Sequence, residues 1–140
     1  MEKIKLLYVS KFYPPVKGGV ENHVRDLAEG VKEKFSTSVL CCNTKRKTEV
    51  EEKESLKIVR VGSIGTLRSM PLSPTFPSWM RKIKADILHF HLPFPLSVIS
   101  YFLAKPRGKI VVTWHSDIVR QKVGRIFYHL FFNKVFEKSK

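Results

Sequence analysis

Residues 10–21 read S-K-F-Y-P-P-V-K-G-G-V-E and join an apolar run at residues 4–9 to an amphipathic run that follows. The two prolines are disfavoured in helix interiors and central strands, so they predict an ordered loop. Gly18 and Gly19 stand where the helix should begin, and their missing side chains leave the first backbone N–H groups uncovered. A helix start of this kind binds anions such as phosphate, while a tight turn for packing is the competing interpretation. This stretch alone leaves both interpretations open.

The hydrophobic pattern along the rest of the chain alternates between short apolar runs and stretches with helical spacing. It predicts strands at residues 4–9, 37–42, 56–61, 86–91 and 109–114, and helices at residues 20–34, 79–84, 96–104 and 118–140. Such alternation predicts an α/β fold, a Rossmann-like parallel sheet with helices on both faces. Residues 45–57 are predicted to form a solvated loop, and residues 62–77 a long ordered loop.

The composition indicates one basic domain. The chain has 140 residues, enough for a core of its own, and a formal net charge of +14. Residues 71–140 hold most of this surplus, with 12 Lys and Arg and 3 Asp and Glu. Such a charge attracts phosphates, anionic lipid headgroups or nucleic acid without choosing between them. No secretory signal pattern or membrane-length apolar run is visible, which predicts a cytoplasmic protein. The adjacent Cys41 and Cys42 predict buried thiols rather than a disulfide or a zinc site.

Candidate ligand-binding groups follow the strands of the predicted sheet. Ligands of such sheets lie beyond the carboxyl ends of the strands, where the glycine turn, His91 and His115 are expected to meet. His89 and His91 share one strand face, so with His115 or Asp117 they could form a metal site. Hydrogen bonding to a polar substrate is the alternative for these histidines, and we predict that no metal is bound.

Several common chemistries do not fit the sequence. The first loop lacks both G-x-G-x-x-G and G-K-[ST], and no acidic residue ends the second predicted strand, which argues against dinucleotide binding and ATP hydrolysis. Ser116 has no nucleophile-elbow motif around it. Backbone amides and imidazoles in a concave site instead favour a sugar or a phosphate as the substrate.

Four stretches resemble the N-terminal half of a family 4 glycosyltransferase of GT-B fold. They are P-P-V-K-G-G-V-E-N-H-V, P-L-S-P-T-F-P, D-I-L-H-F-H-L-P-F-P and V-V-T-W-H-S-D-I-V-R-Q-K, which together span nearly the whole chain. The G-G-V-E and W-H-S-D-I-V-R-Q-K stretches are the most specific. The resemblance implies transfer of a sugar from a nucleotide-sugar to a glycan or lipid-linked acceptor, with retention at the anomeric carbon and with no metal or other cofactor.

The same resemblance implies roles for individual residues. Gly18 and Gly19 would offer backbone amides to the donor diphosphate, and Glu21 would hold the loop and the helix start. His115 would be the catalytic residue, which contacts the donor sugar or stabilises charge on the leaving phosphate. Three further residues would line the same rim: Asp117, Arg120 and Lys122.

Members of the family carry the nucleotide-sugar site in a second domain. The resemblance therefore implies that residues 1–140 form an N-terminal Rossmann-like domain that lacks its final strand and the C-terminal domain. We expect little or no transfer by this domain alone, and a partner domain that is either lost by truncation or separately encoded.

Two further questions stay open in the sequence. The Phe-rich helix predicted at residues 118–140 either docks on anionic lipid at the inner face of the membrane or packs on protein. The second class of function is a non-catalytic basic Rossmann-like module for nucleic acid or another anionic partner. The basic residues are spread over several elements without clustered aromatic side chains, so we expect no nucleic acid.

Overall fold

The computed structural model describes residues 2–115 together with His129 and Asn133. The helix predicted at residues 118–140 lies outside this part of the chain, as do three predicted site residues: Asp117, Arg120 and Lys122. The elements in chain order are β1 (Lys5–Val9), α1 (Gly19–Val31), β2 (Ser36–Cys42), β3 (Glu49–Lys53), β4 (Leu56–Val61), β5 (Gly65–Leu67), β6 (Met70–Leu72), α2 (Phe76–Lys82), β7 (Ile87–Leu92), α3 (Pro95–Ala104) and β8 (Lys109–Trp114).

Six of these strands form one sheet in the order β3-β4-β2-β1-β7-β8. All neighbours pair in parallel except β3, which joins β4 in an antiparallel pair at the edge. The chain leaves β1 through α1 to β2 on one side and later returns to β7 on the other side. The predicted Rossmann-like α/β sheet is thereby confirmed, and its topological switch point, where ligands of such sheets bind, lies between β1 and β7.

Helices cover both faces of the sheet, as predicted. Alternate residues of each strand point to opposite faces, so every central strand supplies two cores. On one face, Val24 and Ala28 of α1 are buried against β1, β2 and β4. On the other face, α2 and α3 pack on the apolar side chains of β7, among them Phe90. Full burial of an aliphatic or aromatic side chain contributes about 2 kcal/mol, so these two layers stabilise the sheet from both faces.

The prediction of a solvated loop at residues 45–57 is wrong, because part of this segment forms the edge strand β3. Its sequence, E-V-E-E-K, has little intrinsic preference for a strand. Pairing with β4 satisfies its backbone groups, and the Arg60 guanidinium donates a hydrogen bond to the Glu51 carboxylate across the pair at 2.8 Å. Charged side chains are typical of edge strands, because they prevent a further strand from pairing.

The segment predicted as one long loop at residues 62–77 holds more structure than expected. β5 and β6 form an antiparallel hairpin, and α2 begins at Phe76, three residues before the predicted helix start. Pro77 lies in the first turn of α2, where a missing N–H costs nothing. At the base of the hairpin, the buried Ser73 hydroxyl donates a hydrogen bond to the Gly62 carbonyl at 2.6 Å.

The structure also bears on the two cysteines and on membrane-spanning helices. Cys41 and Cys42 are buried and free, as predicted, and burial raises the pKa of Cys42 to about 12. No helix in the described part of the chain has the length and apolarity needed to span a membrane.

Gly108 provides a test of the packing before β8. Its φ of +123° is unfavourable for a residue with a side chain, and an added Cβ would lie 2.7 Å from the Ala85 carbonyl oxygen. We expect Gly108→Ala to lower the free energy of unfolding by about 2 kcal/mol. The control is Gly30→Ala in α1, where a Cβ meets nothing within 4 Å and helix propensity should stabilise by about 0.5 kcal/mol. Urea unfolding measures both; equal effects of the two substitutions would contradict this account of Gly108.

Candidate functional site

A layer of imidazoles lines the carboxyl edge of the sheet beside the switch point. His89 and His91 lie on the α1 face of β7, as their spacing predicts, and their rings stack with centroids 4.4 Å apart. Tyr8 of β1 lies beside both rings, at centroid distances of 5.2 and 5.8 Å. The parallel register pairs Tyr8 with His89 and His91 with Thr113 of β8. Strand pairing therefore places these side chains in two neighbouring rows on the same face of the sheet.

Two hydrogen bonds connect the histidines of β7 to β8 and to the residue that follows it. Nδ1 of His91 lies 2.8 Å from Nε2 of His115, and Nε2 of His89 lies 2.7 Å from the Thr113 hydroxyl. The backbone N–H of His115 also donates to the Leu92 carbonyl at 2.9 Å, so β7 positions His115 by main chain and side chain. The structure thus brings His91 and His115 together, although 24 residues separate them in the sequence.

Burial keeps these imidazoles neutral at physiological pH. His91 is 2% exposed, and desolvation together with its neighbours His89, His115 and His23 lowers its pKa to about 3. Desolvation also lowers the pKa of His89. The pKa of His115 is lowered by desolvation and by His23, while the Glu21 carboxylate acts in the opposite direction. Neutral imidazoles can donate one hydrogen bond and accept another, which suits sugar hydroxyls and phosphate oxygens.

His23 is a site residue that the sequence reasoning missed. It lies in the second turn of α1, and its ring stands edge-on to His115 at 5.4 Å and to His91 at 6.0 Å between centroids. It is exposed, so it borders the crevice from the helix side. Its position four residues after Gly19 is the sequence signal for this placement, because residues at that spacing share one face of a helix.

The glycine turn stands at the start of α1, beside the imidazole layer. Gly18 is the N-cap residue, and its carbonyl accepts a hydrogen bond from the Asn22 backbone N–H at 3.1 Å. The Glu21 carboxylate folds over Gly18 and occupies the space that a side chain there would need. Around Gly19, by contrast, a Cβ would meet nothing within 4 Å. Gly19 is therefore the side of the turn that is open to a ligand.

Arg60 of β4 holds the loop between β1 and α1 in place. Its guanidinium donates a hydrogen bond to the Pro14 carbonyl at 2.7 Å and stands 5.7 Å from the centre of the Tyr13 ring. These groups and their neighbours enclose a pocket of about 300 Å³, which includes Asn43 and Glu51 in its lining. A pocket with this mixture of amide, carboxylate and guanidinium groups can hydrogen-bond the hydroxyls of a sugar ring.

Asp117, one of the candidate metal ligands, lies outside the residues that the structure describes. No group of three or more His, Cys, Asp or Glu side chains among them has an arrangement that could hold a metal ion. Two of the imidazole nitrogens that could act as ligands, in His91 and His115, face each other instead.

A mostly parallel sheet with a polar crevice at its switch point defines a Rossmann-like ligand-binding domain, the building unit of GT-B glycosyltransferases. The sequence model of glycosyltransferase family 4 matches residues 17–140. The chain belongs to this family.

Individual relatives agree with this assignment. The chain is 29% identical over 123 residues to the O-antigen chain mannosyltransferase C of Escherichia coli, covering 85% of this chain and 33% of the relative. It is 42% identical over 40 residues to the D-rhamnosyltransferase WbpZ of Pseudomonas aeruginosa, covering 29% of this chain and 10% of that protein. The chain therefore spans about a third or less of these relatives.

Among solved structures, sucrose-phosphate synthase from Thermosynechococcus elongatus has a similar fold. The TM-score is 0.66 at 15% sequence identity, and the match covers 92% of this chain and 40% of that chain. At this identity the likeness concerns the fold alone.

The neutral state of His91 makes the stability of the domain pH-dependent. An exposed histidine in the unfolded chain has a pKa of about 6.5, whereas folding lowers the pKa of His91 to about 3. Between these values the unfolded chain binds the proton more tightly, so stability is full above about pH 7 and is lost as the pH falls. From pH 7 to pH 5, His91 should account for a loss of about 2 kcal/mol.

His91→Asn removes this titration and should make the difference in unfolding free energy between pH 7 and pH 5 smaller by about 2 kcal/mol. His129→Asn, at an exposed position, serves as the control and should leave the pH dependence unchanged. Urea unfolding at the two pH values measures the effect. The same pH dependence in His91→Asn and in the parent chain would contradict a neutral, buried His91.

Proposed function

We propose that this chain forms the acceptor-side domain of a retaining glycosyltransferase, which transfers a sugar from a nucleotide-sugar to a glycan or lipid-linked acceptor. The observation that carries the proposal is the pairing of His115 with His91 beside the glycine turn of α1, at the switch point of the sheet. A neutral imidazole and an open helix start face one crevice, so hydrogen-bond donors converge where a phosphorylated sugar would bind.

In the proposed reaction, the bond from the anomeric carbon to the diphosphate oxygen breaks, and the acceptor oxygen bonds to the same carbon. The acceptor hydroxyl proton ends on the leaving nucleoside diphosphate. Negative charge develops on the leaving oxygen, and His115 donates a hydrogen bond to it or to the donor sugar. The open Gly19 side of the turn faces the diphosphate. The nucleotide-sugar acts as a substrate, and the proposal assigns no metal or other cofactor to these residues.

The sugar class of the proposal comes from the relatives. Their names identify a mannosyltransferase and a rhamnosyltransferase, and the first acts on an O-antigen chain. We therefore propose a hexosyl donor and a growing glycan, with the sugar pocket beside Arg60 and Tyr13 as a place for acceptor hydroxyls.

A second domain is part of the proposal. The matched relatives are about three times as long as this chain, so the nucleotide-sugar is proposed to bind mainly in a C-terminal domain, carried by the same polypeptide or separately encoded. The residues described here line one side of the crevice, and we propose that they transfer no sugar without the other side.

We also propose contact with an anionic membrane at the cytoplasmic face, where a nucleotide-sugar and a lipid-linked acceptor meet. Between the ends of α2 and α3 lies a cavity of about 430 Å³ with four cationic residues and no acidic residue in its lining: Arg81, Lys84, Lys105 and Arg107. The carboxyl ends of two helices contribute only about half a negative charge each, so a positive surplus remains to attract lipid phosphates.

The membrane proposal is tested by co-sedimentation with vesicles that contain about one third phosphatidylglycerol. Replacing the four cavity cations by Gln should weaken binding at least about tenfold, and raising the salt from about 0.05 M to about 0.5 M should do the same, since each cation near such a surface contributes about 1 kcal/mol. The matched control replaces four exposed lysines elsewhere, at positions 3, 34, 45 and 47, by Gln. Equal loss in both variants would show a general charge effect and would remove the cavity from the proposal.

The catalytic proposal is tested in the source cells, where any second domain is present. Extracts from cells that lack the gene, carry it, or carry His115→Ala are supplied with a panel of radiolabelled nucleotide-sugars and endogenous acceptor. Deletion should abolish one incorporation activity, and His115→Ala should lower it by about 100-fold, the usual effect of removing one preorganised hydrogen-bond donor.

His129→Ala is the control and should retain activity, and the 140-residue chain alone should incorporate no label. If deletion changes no incorporation, the protein is not a glycosyltransferase for any donor in the panel. If deletion abolishes incorporation but His115→Ala retains it, the role of His115 is wrong while the class of activity stands.

A further inference from the structure

The two nitrogens of His91 have very different surroundings. Nδ1 lies 2.8 Å from Nε2 of His115, whereas Nε2 is buried and has no hydrogen-bond partner among residues 2–115. His89 stacks on the His91 ring with centroids 4.4 Å apart, and the His115 ring lies nearly parallel to it, with centroids 5.1 Å apart, joined through the edge-to-edge hydrogen bond. Among the described residues, the His91 side chain therefore has a single hydrogen bond, and its partner is the proposed catalytic residue.

A neutral imidazole carries one proton, so only two arrangements of the pair are possible. In the first, His91 carries its proton on Nδ1 and donates to Nε2 of His115, which must then carry its own proton on Nδ1. In the second, His115 donates from Nε2, and His91 holds its proton on the buried Nε2. The second arrangement leaves a buried N–H without an acceptor, whereas the first leaves only a lone pair without a donor. Orphaned N–H groups are the rarer of the two in proteins.

The groups around the pair come from α1, β1 and β7. The Glu21 carboxylate of α1 is the negative group that acts on the His115 ring. The other groups around the pair are His23, edge-on to both rings, Tyr8, beside His91, and His89, stacked on His91; none of them carries a negative charge.

We propose that His91 is a positioning residue that fixes His115 in the tautomer with its proton on Nδ1, so that His115 presents a neutral hydrogen-bond donor to the crevice. The inference rests on the proposed role of His115 in glycosyl transfer. Without His91, the Nε2 atom of His115 would be free to take the proton, and the outward nitrogen would become an acceptor, which repels a leaving phosphate oxygen.

The tautomers are measured directly on the 140-residue chain, without any activity. Long-range proton–nitrogen correlation spectra of the ¹⁵N-histidine-labelled protein at pH 7.5 distinguish protonated from unprotonated ring nitrogens. We expect Nδ1 to be protonated in both His91 and His115. Protonated Nε2 in both rings, or a rapid mixture of tautomers at His115, would overturn the proposal.

Two substitutions separate positioning from packing. In His91→Asn, the side-chain amide N–H can occupy the place of the imidazole Nδ1–H, so His115 should keep its tautomer and transfer should stay within about threefold. In His91→Leu the donor is lost, so His115 should become a mixture of tautomers and transfer should fall at least about tenfold, as for other partners that orient a histidine. His89, which is paired with Thr113, should keep its spectrum in both variants.

The outcomes distinguish this inference from the function on which it rests. Equal loss of transfer in both variants, with His115 unchanged in its spectrum, would mean that His91 only fills space. The expected spectra combined with no transfer activity in extracts of source cells that carry the parent gene would refute the glycosyltransferase proposal and leave the tautomer assignment intact.

Discussion

The alternation of side chains along β7 is the constraint on which both the core and the site depend. Phe90 and Leu92 face the core under α2 and α3, and His89 and His91 face the opposite side of the sheet. A slip of one residue in the pairing of β7 would move two imidazoles into an apolar core and two apolar side chains to the crevice. Burying two polar rings without partners costs several kcal/mol, so the register that closes the core also fixes the site. Because β8 pairs in the same register, His115 follows directly beyond the partner of Leu92.

The protein as a whole is strongly positive, whereas the imidazoles at its candidate site are uncharged. The chain carries a net charge of +14, yet the imidazoles at the crevice are neutral because burial lowers the pKa of His91, His89 and His115. The cause is desolvation, which disfavours the charged form of a buried imidazole. The spread of lysines and arginines can therefore raise the local concentration of an anionic ligand, while neutral donors determine how it is oriented.

The sequence predicts the parts of this structure that local patterns determine. β1, β7 and β8 appear as apolar runs, and the glycine turn marks the start of α1 to within one residue. The edge strand β3 is not predicted, because its stability comes from pairing with β4 and from the ion pair between Glu51 and Arg60. Neither contact can be inferred from the sequence E-V-E-E-K alone. His23 is not predicted for a related reason. It is an exposed helical residue, and the rings that it contacts, those of His91 and His115, are remote from it in the chain.

The position of Glu21 determines which chemical groups can bind at the turn. Its carboxylate over Gly18 is stabilised by the helix dipole by up to about 1 kcal/mol. A phosphate at 4 Å from this carboxylate would meet a repulsion of about 4 kcal/mol at an effective dielectric constant of about 20, more than the dipole returns. A neutral sugar hydroxyl placed between Glu21 and His115 meets no such repulsion and can donate to the carboxylate. An anionic group is therefore disfavoured beside Gly18 and meets less repulsion on the open side of Gly19. The turn thus separates positions for neutral and for anionic groups by charge as well as by shape.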